Sequence, residues 1–82
     1  NILREDYRAD YVLMVAEAHQ SEQDSETAAR RLAILGSESP AEIVASALTY
    51  ATNNSFTQNE ILLLQGLLTA MQTYQPQGLN VP

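Results

Sequence analysis

The chain has no cysteine and no lysine among its 82 residues. Without thiols there is neither a disulfide framework nor a thiolate metal site, and the redox compartment stays open. Without lysine there is no Schiff-base chemistry and no phosphate-binding P-loop. Positive charge is scarce: four arginines stand against ten acids, for a formal net charge of −6. That balance argues against nucleic acid, whose phosphates need a basic stripe, and against docking on anionic lipid. Long apolar runs are missing too. The longest, Tyr11–Ala16 and Ile61–Leu64, fall far short of the roughly 20 residues a membrane helix needs, so no direct membrane insertion by this segment is expected. No signal peptide is visible. The chain begins at Asn1 without a methionine and reads as a piece of something longer.

What is present suits one small helical domain. Apolar residues make up 45% of the chain, enough for a core, although a domain this short buries only about 60–65% of its unfolded surface. Charge is unevenly spread. Residues 1–42 hold nine acids and all four arginines, whereas residues 43–82 hold only Glu60 and rely on Asn, Gln, Ser and Thr for solubility. Such asymmetry leads one to expect that the two halves face different surroundings.

Apolar positions recur at helical spacing throughout, and nothing alternates as a strand would. A first helix is expected from about Arg4 to Gln20, with Tyr7, Tyr11, Val12, Met14, Val15, Ala18 and His19 on one face and Asp6, Asp10, Glu17 and Gln20 on the other. The second follows Asp24 or Ser25 as N-cap, with Ala28, Leu32 and Leu35 inward and Gly36 as a left-handed C-cap. The third starts at Ser39-Pro40, with Glu42 placed to close a capping box, and ends at Asn53–Asn54. The fourth repeats the device with Thr57 and Glu60, with Phe56 placed to staple onto Ile61. It runs to about Gln75, where Pro76 stops it. Gly66 within it costs about 1 kcal/mol relative to alanine and suits a close backbone approach.

Residues 9–42 resemble a tetratricopeptide helical hairpin position by position. Val12 stands for the early large residue, Val15 and Ala16 for the large-then-small pair, and His19 for the usual aromatic. Asp24 matches the turn aspartate, Ala28 the small crossing position, Leu32 and Leu35 the later core and Pro40 the closing proline. Gln23 replaces the turn glycine and Leu35 a small residue, and residues 43–75 match in length only. The segment Leu3–Ala18, with Arg31–Gly36, is also similar to uncharacterised bacterial proteins in which one N-terminal membrane helix precedes a soluble helical domain. That resemblance implies a membrane-tethered parent and no activity; with no charged cluster in the domain to oppose export, the extracytoplasmic side is expected.

In tetratricopeptide arrays the outer side of each first helix lines a peptide-binding groove. Carried over, that side is Asp10, Leu13, Glu17 and Gln20, a surface suited to a basic or amphipathic peptide. His19, the lone histidine, fills a slot where the repeat packs an aromatic, so a half-buried, locally hydrogen-bonded side chain is expected. Its spacing to Glu22 and Asp24 matches no standard metal site. Leu13, Ile34 and Leu62 read as apolar residues outside the inner stripes. The fourth helix has an apolar arc wider than one neighbour needs, which points to self-association through Leu63, Leu67, Ala70 and Tyr74.

The fold expected is all-α, with two stacked antiparallel hairpins over residues 4–36 and 40–75 and a tail over 76–82. The alternative is a closed four-helix bundle, in which the fourth helix packs against the first as well as the third. The function expected is a non-enzymatic protein–protein interaction or structural module, binding a protein, a peptide or a second copy and using no cofactor. The alternative is a small hydrolase-like enzyme using His19 with Glu17 or Glu22.

Overall fold

Asp24, Ser39 and Thr57 each accept a backbone N–H from the residue three positions on, at 3.1, 3.2 and 3.1 Å. These bonds satisfy donors that a helix start would otherwise leave orphaned. They open three of the four helices in the computed structural model, which describes residues 2–74, with side chains from Arg4 onward. The helices are α1 (Ile2–Glu22), α2 (Ser25–Leu32), α3 (Pro40–Asn53) and α4 (Gln58–Thr73), and a 3-10 turn, Ala33–Leu35, extends α2. No strand occurs among the described residues. The protein is an all-α, four-helix domain. Gln75, Pro76 and the 76–82 tail lie outside the described residues.

Two expected helix ends differ in detail. At Thr57 the capping box is complete, because Glu60 accepts in return from the Thr57 N–H at 2.9 Å. Glu42 makes no such return bond to Ser39. Gly36 is fully extended, at φ 163° and ψ −179°, and is not the left-handed cap expected of it. Arg8 replaces that device: its guanidinium donates to the Leu35 carbonyl at 2.7 Å and lies 3.8 Å from Glu38. Left-handed backbone falls instead at Gln23, at φ 53°, and at Ser55, at φ 67°; Gln23 follows α1. Its side-chain amide donates to the carbonyls of His19 and Gln20 and so closes the end of α1.

α1 and α2 run antiparallel, joined along their length by Arg8 to Leu35, Tyr11 to Arg31 (O–H to carbonyl, 3.1 Å) and His19 to Ser25. α4 packs against α1 as extensively as α3 does, and α3 packs against both. This is the arrangement expected of the closed alternative. α4 is not a terminal layer; its wide apolar arc serves two neighbours.

One core results, containing Val12, Val15, Leu32, Val44, Leu64 and Leu67 among its fully buried members. Burying each such side chain contributes about 1.5–3 kcal/mol before entropy is counted. On α1 the inward residues are Ala9, Val12, Val15 and Ala16, whereas Tyr7 and Met14, expected inward, are 68% and 61% exposed. The inner face of α1 thus includes the small side chains of Ala9 and Ala16, which leave room for neighbouring helices to pack against it.

Candidate functional site

The outer face of α1 brings large apolar groups and carboxylates together. At 100° per residue, Tyr7, Tyr11, Met14 and Ala18 form one stripe, and Asp6, Asp10 and Glu17 lie along one side of it. Tyr7 and Met14 stand out of the surface. Tyr11 is half-buried, its hydroxyl spent on the Arg31 carbonyl. Of the four residues expected to contact a partner, Asp10, Glu17 and Gln20 are exposed, whereas Leu13 is half-buried against the core. Leu13 therefore gives way to Met14 and Tyr7 as the apolar element of this surface. The i, i+7 spacing of Tyr7 and Met14 was visible in the sequence, but their bulk made them look like core.

The four α4 residues expected at an oligomer surface also need correction. Leu67 is fully buried, and Leu63, Ala70 and Tyr74 are half-buried against the same core. Packing between α1 and α3 takes up the arc these residues occupy. Leu62, at 55% exposure, stands on the outer side of the helix, and Ile34 is exposed on the 3-10 turn.

A groove of about 660 Å³ runs between the N-terminal part of α1 and the length of α3. Ala9, Ile43 and Ala47 lie along it, and Glu5, Arg8 and Tyr50 are on its rim. Arg8 is held by the Leu35 carbonyl, and the Tyr50 hydroxyl donates to Asp6 at 3.2 Å. Desolvation, then that hydrogen bond and the charges of Asp6, Glu5 and Asp10, push the Tyr50 phenol above its ordinary range, so it stays a neutral donor. A smaller hollow on α4 is lined by Phe56, Ile61 and Leu62 with Gln58 and Gln65.

His19 is half-buried, with Nε2 3.3 Å from Ser25 Oγ. A histidine beside a serine is the start of a nucleophile–base pair, but such a pair needs a group to orient the base and a concave place for substrate. Of the two acids expected to serve it, Glu22 is paired with Arg31 at 3.3 Å and Glu17 is exposed; Asp24 has both carboxylate oxygens committed to Thr27, its N–H and its hydroxyl. Neither hollow described above is lined by His19 or Ser25. Among the described residues no group of three or more His, Asp or Glu is placed to hold a metal ion.

Comparison of the chain with protein-family models, curated proteins and solved structures finds no match to any of them.

Proposed function

We propose that this domain is a non-enzymatic protein–protein interaction module whose recognition surface is the outer face of α1. The observation that carries this reading is the exposure of Tyr7 and Met14 alongside Asp10 and Glu17. Two large apolar groups, seven residues apart on one helix, present an anchor pattern for a partner helix. A flanking row of carboxylates selects a partner with Lys or Arg beside its own apolar stripe. A second copy meets a penalty at this face. In an antiparallel pair the same flank meets itself, which brings Asp10 toward the other copy's Glu17.

Fluorescence anisotropy of a labelled amphipathic peptide with Leu on one face and Lys on the other tests the reading. The domain should bind it, should ignore the same peptide with Glu in place of Lys, and should release it as salt rises. Met14→Ala should cost more than about 1 kcal/mol of binding. Equal binding of both peptides, or of neither, would overturn the assignment.

The likeness of Leu3–Ala18 to tethered bacterial proteins supports a further part of the proposal, that the domain belongs to a membrane-anchored parent. Fractionation of cells that produce the parent, with protease accessibility of the domain, tests both the anchoring and the side.

A further inference from the structure

The exposed side of α4 is polar and uncharged, with one leucine standing out of it. Gln58, Leu62, Gln65, Gly66, Thr69 and Gln72 all stand out of it, and no exposed residue of this helix carries a charge. Its one acid, Glu60, is half-buried and bonded to the Thr57 N–H. α1 and α2 expose carboxylates, and α3 exposes one, Glu42, in its first turn. Gly66 adds a second oddity. A Cβ built there would meet nothing within 4 Å, so among the described residues no close approach calls for glycine. A glycine in a helix interior costs about 1 kcal/mol relative to alanine, and no contact among the described residues offsets it. One turn before it, about 6 Å along the axis, Leu62 projects beside the hollow that it lines with Phe56 and Ile61.

We infer that α4 is a twofold self-pairing surface, on which Leu62 of one copy packs over Gly66 of a second copy and the reverse. The occupant is a second copy for two reasons. In a chain of net charge −6, this helix is where two copies meet without opposing carboxylates. Its Gln side chains each carry a donor and an acceptor, so the face is complementary to itself, as a row of acids cannot be. Knob and gap on one helix, a turn apart, are what an antiparallel twofold contact requires, since residue i then meets j wherever j meets i. This surface is independent of the outer face of α1.

Sedimentation equilibrium of the 82-residue chain tests the inference. The wild type should show a monomer–dimer equilibrium that persists at high salt, because the contact carries no charge. Leu62→Gln and Gly66→Gln should each weaken it at least about tenfold, the scale of one lost leucine contact. Both positions are exposed, and glutamine is the better helix former at Gly66, so circular dichroism should show both variants folded and Gly66→Gln melting no lower than wild type. Met14→Gln should leave the equilibrium unchanged. A wild type that stays monomeric at its highest soluble concentration overturns the inference. So does a dimer indifferent to both α4 changes, or one lost on Met14→Gln alone.

Discussion

At the scale of single residues, the most informative positions are those held against their own preference. Ser55 sits at φ 67° just after α3, in the left-handed region that costs a non-glycine residue about 1–2 kcal/mol. Ser55→Gly should therefore stabilise the domain by about 1 kcal/mol, net of the added freedom of the unfolded chain. A thermal melt should rise by roughly 4–8 °C. Gln23 is left-handed as well, yet its side chain closes the end of α1, so Gln23→Gly trades one gain against another loss and should move the melt far less. Asp24 carries a pH signature. Its hydrogen bonds to the Thr27 hydroxyl and N–H hold the carboxyl below its ordinary value. A carboxyl depressed in the folded state stabilises fully above its unfolded pKa of about 3.9 and loses that contribution as pH falls through the folded value. Melts below pH 4 should thus fall less steeply for Asp24→Asn than for the wild type.

At the scale of elements, the helix starts were legible because capping is local chemistry. Ser39, Thr57 and Asp24 announce themselves by residue type and by what stands three positions on, and each makes the bond expected of it. The two Ser/Thr caps are not equal. Thr57→Ala removes a side-chain bond and strands the Glu60 half of the box, whereas Ser39→Ala removes one bond beside a proline that already fixes the first turn. Thr57→Ala should cost about 1–2 kcal/mol and Ser39→Ala about 1 kcal/mol or less by urea titration. The end of α2 was not legible, since the donor that replaces a glycine cap there is Arg8, 27 residues away. The inner face of α1 was misread for a different reason. Hydrophobic patterning weighs bulk, and the inner face of α1 includes the small side chains of Ala9 and Ala16. The candidate surface inherits both halves of that lesson: its acids could be placed from spacing, whereas Tyr7 and Met14 emerged only once α1 was seen to pack on its small side.

At the scale of the whole molecule, the question left open by sequence was whether α4 ends the stack or closes it. Periodicity gives the width of an apolar arc but not the number of neighbours it serves, so both arrangements fitted. With α4 against α1 and α3 together, Leu67 becomes a central residue at 1% exposure. Leu67→Glu should then unfold the domain outright, since an unpaired buried carboxylate costs several kcal/mol against a total stability of about 5–15 kcal/mol. Circular dichroism at 25 °C would check this; a folded, soluble Leu67→Glu chain would contradict the packing.

The eight residues of α2 lie against α1 more than against either α3 or α4. A helix this short has no stability of its own in water. Its hold on the rest comes from Ala28, Ala29 and Leu32, from the bonds that Tyr11 and Arg8 make to its carbonyl end, and from the His19–Ser25 and Glu22–Arg31 pairs. The molecule should accordingly open in parts. Amide hydrogens of α2 should exchange with deuterium through a local opening of low free energy, while those in the middle of α3 and α4 wait for global unfolding. Tyr11→Phe should speed exchange in α2 selectively, leaving the slowest amides of α4 nearly unchanged.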